Sequence, residues 1–227
     1  MNATPKFLLE GSYYALVQCE KLLNSAVIIY KAGDHATAVG LTLLAREELG
    51  RSRYLRDQRK DVVKGKTVPI NTIRKACENH LMKQKLGQHS VVLKTPGLAK
   101  HLQVISGASP QSKEYQEADQ ILDKLTKKKM ARTPHDRLAE REKSFYVQPD
   151  DLGTGWDKPW EKDKEEAIDT IQHAINDYSV YRRQFVDLAI LMVTDCELAK
   201  AIEAWVERPT LPPPLLVALE EVQQGLE

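Results

Sequence analysis

Residues 34–55 read DHATAVGLTLLAREELGRSRYL, and the period of this stretch decides the fold. Asp34 is a good helix cap, and Ala38, Leu41, Ala45, Leu49 and Ser52 then recur at three- and four-residue spacing. The stripe is rich in small residues, which predicts close approach to a neighbouring helix. Upstream, Thr4-Pro5 reads as a cap followed by proline at the first helical position, and Leu16, Cys19, Leu23, Ala26 and Tyr30 carry the same period up to Gly33. Two long amphipathic helices, over about 5–31 and 35–63, are therefore predicted.

Downstream, Pro69 and Asn71 restart the chain, and Ile73, Ala76, Cys77 and His80 share one face of a third helix over about 71–88, weakening at Gly87. Residues from about 94 to 162 read as an irregular insertion. Within it, Thr95 to Pro110 is loop, and Tyr115, Ala118, Ile121, Leu122 and Leu125 mark a short helix. Thr133-Pro134 caps another through Lys143, and Phe145 to Trp160 is an ordered loop. The helical period returns over about 164–193 with Ile168, Ile171, Ile175, Tyr178, Arg182, Phe185 and Leu188. Thr194-x-x-Glu197 is a capping box for one further helix, ending at Pro209. The reading is an all-α antiparallel bundle in one domain over 1–208, followed by a Pro-rich spacer and short terminal helix over 209–227. No segment alternates with period two for long enough to require a sheet.

A hydrophobic share of 42% in 227 residues suffices for one core. The 33 basic and 32 acidic residues nearly cancel, so no global field pulls the chain toward nucleic acid or anionic membrane, and any polyanion site must be local. Cys19, Cys77 and Cys196 are odd in number and far apart, forming neither a disulfide framework nor a zinc motif; together with the lack of a secretory or membrane-spanning apolar run they predict a cytoplasmic protein without a membrane segment. None of the six histidines has an acid three residues before it, as a di-iron bundle requires, and no phosphate loop or serine elbow occurs, so no metal or cofactor is expected.

The candidate chemistry lies in ionisable residues that helical packing does not explain. Glu48 falls on the face of Leu41, Leu44, Ala45 and Leu55, where an apolar side chain belongs, although an ordinary surface pairing of Glu47 and Glu48 with Arg51 accounts for it equally well. His80 points inward with Lys83 one turn on and Arg74 six positions before, and most such histidines are hydrogen-bonded core or interface residues. The R-x5-H spacing fits the R-x(4–6)-H pattern of HEPN ribonucleases, yet six histidines and 12 arginines in 227 residues predict about one such match by chance. The basic run Lys127, Lys128, Lys129 and Arg132 is either a phosphate contact or a solvated helix end. Trp156, Trp160 and Tyr146 either stack bases or pin their loop to the core.

Taken in order, A45-R46-E47-E48-L49-G50-R51, then His80 and Lys83, then E142-K143-S144-F145-Y146-V147 and a Trp-x-x-Pro segment resemble the AbiV family of bacterial abortive-infection proteins, from the first helix to about Tyr178. The sequence departs from the family pattern at Arg51, where lysine is usual, and at Gln148, where an acid is usual. The resemblance implies a HEPN-like bundle, a homodimer, and a toxin-like arrest of translation or RNA metabolism when a phage-encoded protein triggers it. It also suggests metal-independent RNA cleavage. His80 would be the proton-transfer group oriented by Glu48, and Lys83, Arg74 and Arg51 would stabilise phosphoryl charge. Lys127, Lys128, Lys129, Arg132, Lys143 and Tyr146 would contact RNA. The rivals are a non-catalytic helical dimer that binds a phage or host translation protein, and an antitoxin-like partner of a separate enzyme.

Overall fold

The computed structural model describes residues 1–87, 112–150, 152–189 and 196–208. Helix α1 spans Pro5–Lys31 and α2 spans His35–Val63. Both begin as their sequences dictate, the Thr4 hydroxyl accepting from the Phe7 N–H at 3.2 Å and the Asp34 carboxylate from the Thr37 N–H at 3.0 Å. Their small residues let the pair approach closely: the Ser12 and Ser52 hydroxyls meet at 2.8 Å, buried beside Cys19, Ala45 and Leu49.

The predicted third helix is two. α3 covers Ile70–Glu78 and α4 covers His80–Leu86, separated by Asn79 in an extended conformation (ψ 99°). The Asn79 side chain accepts from the Met82 N–H at 2.9 Å, so this residue caps a new helix instead of continuing the old one. The insertion also departs from expectation, because Lys113–Phe145 is a single helix, α5, that runs through Pro134. Proline necessarily removes one backbone hydrogen bond from a helix. Strong helix formers such as Leu138, Ala139 and Glu140 follow it, Pro134 itself is buried, and α5 rests on α2 and α4, so packing carries the helix past the break.

Beyond α5 the chain makes a two-residue antiparallel pair, β1 (Gln148–Pro149) with β2 (Trp156–Asp157), and one 3-10 turn at Pro159–Glu161. Helix α6 then spans Lys164–Ala189 and α7 spans Cys196–Val206. Thr194, the expected cap of α7, and the Pro-rich stretch 209–227 lie outside the described residues. The loop aromatics do not pin their segment to the core: Tyr146, Trp156 and Trp160 are all exposed.

α2 is the axis of the bundle, touching α1, α4, α5 and α6. It is buried on nearly every side from Ala36 to Gly50, charged residues included. The main core lies between α1, α2, α6 and α7, with Leu16, Leu23, Ile171, Tyr178, Phe185 and Trp205 at its centre. Among the described residues no helix is long and apolar enough to cross a membrane.

Candidate functional site

Two glycines explain how α2 and α4 meet. A Cβ on Gly50 would lie 1.9 Å from the Lys83 carbonyl oxygen, and one on Gly87 would lie 2.3 Å from that of Arg46. The helices therefore cross backbone to backbone, an approach that only glycine permits. Glu47, one turn before Gly50, is thereby delivered onto His80 and Lys83.

Glu47 is 2% exposed. Its Oε2 lies 2.6 Å from His80 Nδ1 and 3.0 Å from Lys83 Nζ, while Oε1 accepts from Arg141 Nη1 at 2.6 Å. The Gln84 amide donates to the Leu43 carbonyl at 3.0 Å and closes the inner wall. Three helices thus converge on one carboxylate, α2 supplying the acid, α4 the histidine and lysine, and α5 the arginine. Burial pushes the Glu47 carboxyl up, but the hydrogen bonds from His80 and Lys83 and the charges of Lys83 and Arg141 outweigh it, so the group titrates below the usual carboxylate range.

The same contacts fix the imidazole. His80 Nδ1 also lies 3.1 Å from Arg141 Nη1, but a guanidinium can only donate and a carboxylate can only accept, so one nitrogen cannot serve both. The shorter contact decides, and Nδ1–H donates to Glu47. In the neutral ring Nε2 is then the lone-pair nitrogen, on a side chain 48% exposed to solvent. A ring anchored at one nitrogen and open at the other is suited to accept a proton from a ligand.

Of the residues singled out from sequence, His80 and Lys83 are brought together, and Glu48 is not with them. Glu48 faces the next sector of α2, where it takes Arg51 Nη1 at 2.8 Å, and Arg51 in turn reaches the Cys77 carbonyl at 3.5 Å. Burial pushes the Glu48 carboxyl up, only partly offset by Arg51 and Lys83, and the Glu47 charge adds to the rise. The neighbour sequence reasoning passed over, Glu47, orients the histidine. The reason is that α2 is enclosed all round, so an argument from one apolar face could not say which of two adjacent acids meets α4. Arg74 is exposed on α3 and makes none of the cluster's contacts. Lys143 lies 2.8 Å from Asp157 on β2, beside the exposed Tyr146. Lys127, Lys128, Lys129 and Arg132 belong to α5, but their side chains lie outside the described residues.

Arg141 was missed altogether, its only signal being a place four residues before the Phe-Tyr-Val run. One turn before it, Arg137 is half-buried near the Arg46–Asp177 ion pair that ties α2 to α6. Burial and the Arg46 charge pull the Arg137 guanidinium down to about 9, against Asp177 and Tyr181. It remains a cation at neutral pH, and the Asp177 charge that pairs with Arg46 also favours it.

The profile of the HEPN-type AbiV family matches residues 7–177. The chain belongs to the AbiV family. AbiV proteins are abortive-infection defence proteins, and the HEPN-like bundle expected of them is the all-α fold seen here. Searches among curated proteins and among solved structures returned no match. The AbiV segment contains Glu47, His80, Lys83 and Arg141 and ends on Asp177, whereas α7 and its Trp205 lie beyond it.

Proposed function

We propose that this AbiV-family protein is a toxin-like effector of antiphage defence that arrests translation or RNA metabolism by metal-independent RNA cleavage in the cytoplasm. The observation carrying the reading is the His80 imidazole, held through Nδ1 on a buried carboxylate while its side chain is half exposed to solvent. In the step envisaged, Nε2 takes the proton of an RNA 2′-hydroxyl. The O2′ attacks the adjacent phosphorus, the P–O5′ bond breaks, and a general acid returns a proton to O5′. Among the described residues one chain offers one such histidine, and a homodimer would bring a second across its twofold axis as the acid. The exposed Arg74 and the partly exposed Arg51 and Arg141 supply positive potential for the phosphoryl oxygens. Lys143 and Tyr146, with Lys127, Lys128, Lys129 and Arg132, are the candidate contacts to flanking RNA, and a phage-encoded protein is the candidate trigger.

One observation favours a second reading. Lys83 is only 4% exposed and is spent on Glu47, which suits a structural staple as well as a catalytic centre. The protein would then be a non-catalytic helical dimer acting by binding a phage or host translation protein. Incubation of the purified protein with total RNA in excess chelator separates the two. Catalysis predicts fragments with 2′,3′-cyclic phosphate ends that vanish in a folded His80→Ala variant. Equal residual cleavage by both proteins would reject it in favour of binding.

A further inference from the structure

The sequence allows Tyr146, Trp156 and Trp160 either to stack on bases or to pin their loop, and the fold removes the second use: Trp156 is 60% exposed and Trp160 72%. Single apolar side chains on a surface are ordinary. Three exposed aromatics within residues 146–160, on backbone fixed by the β1–β2 pair and the 3-10 turn, form a concentrated patch of the kind that marks an interaction site. Each indole also lines a cleft. Trp156 stands in one of about 220 Å³ between the end of α5 and β2, and Trp160 in another of about 360 Å³ against the α1–α2 turn. Pro159 and Lys162 line both, so the clefts are neighbours on either side of one short turn.

The charges around these clefts say which part of a ligand they suit. Lys143 pairs with Asp157 at 2.8 Å, Lys158 with Glu161 at 2.9 Å, and Lys162 with Glu140 and, at 2.8 Å, with Glu166. An acid at ion-pair distance weakens the pull of each lysine on a phosphate, so what the clefts chiefly offer is aromatic surface. Every nucleobase has a π-face, and stacking on an indole is strong without depending on sequence. Bases in a duplex are already stacked on one another, so only unpaired ones are free to enter. The clefts also adjoin the Glu47 cluster: Glu140 and Lys143 line the first, and Arg141 between them donates to Glu47 at 2.6 Å.

We propose that Trp156 and Trp160 form a stacking platform for the unpaired bases of single-stranded RNA, two nearby nucleotides occupying the two clefts. The proposal rests on the reading of RNA as this protein's ligand but not on its cleavage, and it makes single-stranded RNA, not duplex, the substrate class.

Fluorescence anisotropy with a labelled, 2′-O-methylated oligoadenylate tests it on the full chain, because this probe keeps its bases but lacks the attacking hydroxyl. The native protein should bind it, and Trp156→Ala and Trp160→Ala should each weaken binding about 5- to 150-fold, while Trp160→Phe keeps most of the affinity. Both side chains are exposed, so the variants should retain the native helical signal. The factor lost should be the same at low and moderate salt, since stacking is not screened, and affinity for a duplex of the same strand should not respond to either substitution. No binding by the native protein, equal losses for strand and duplex, or a loss that disappears as salt rises would each overturn the proposal. Unchanged strand binding in both alanine variants would leave the indoles to a protein partner and also overturn it. Cleavage of total RNA without binding of the probe would sink the platform alone, whereas binding without cleavage would keep the platform and sink the catalytic reading.

Discussion

Glu47→Gln and Glu48→Gln, two isosteric changes at adjacent positions, are expected to have opposite consequences. Glu47 is the shared counter-ion of His80, Lys83 and Arg141, and Lys83 is only 4% exposed. Removing the carboxylate charge leaves that ammonium buried and uncompensated, a loss of about 3–5 kcal/mol. For a chain of this size, that corresponds to a fall in Tm of roughly 6–20 °C. Glu48 carries its charge against a burial penalty, and its partner Arg51 is a third exposed, so Glu48→Gln should be neutral or slightly stabilising at pH 7. The pH dependence separates them further. The lowered Glu47 pKa means that its contribution is complete above the unfolded carboxyl value of about 4.3 and is lost as pH falls through the folded value. The raised Glu48 pKa acts the other way, costing stability as pH rises from about 4.3 through the folded value. Thermal unfolding from pH 3 to 8 should therefore show a shallower acid limb in Glu47→Gln and a relieved penalty near neutrality in Glu48→Gln. Equal losses in both variants, or a Glu47→Gln shift of only a degree or two, would refute the assignment of Glu47 as the buried anchor.

Other outcomes follow from the same packing. Gly50→Ala should cost about 3 kcal/mol, the upper end of overpacking, because the new methyl meets a backbone carbonyl that cannot turn aside; urea unfolding measures it. Asp177→Asn should cost about 3–5 kcal/mol, since the buried Arg46 loses its counter-ion, and a small change in denaturation midpoint would contradict the buried pair. Trp205→Ala should cost about 3–5 kcal/mol and expose α7 to proteolysis, because its indole fills the core and donates to Glu20 at 2.7 Å.

The long helices were legible because each advertises its own boundaries. Thr4-Pro5 and Asp34 cap as their chemistry requires, and the small stripe through Ser52 signalled close approach to a neighbour, which the structure shows to be α1. Asn79 and Pro134 were misread for opposite reasons. Asn79 lay inside an apparent apolar stripe but capped a new helix, whereas Pro134 looked like a start and was absorbed by a helix held from outside. Motif order led to His80 and Lys83 but not to their partner. Choosing Glu47 over Glu48 turns on one hundred degrees of helix rotation, which packing against α4 and Gly50 sets and local pattern does not record. Arg141 comes from an element 61 residues away in sequence, which no periodicity connects to His80.

The anchoring of His80 can be measured without any assumption about substrate. Ring nitrogen-15 shifts of the neutral imidazole should show the proton on Nδ1 and the lone pair on Nε2, unchanged in Glu48→Gln and lost in Glu47→Gln. A proton on Nε2 in the native protein, or a tautomer indifferent to Glu47, would contradict the account.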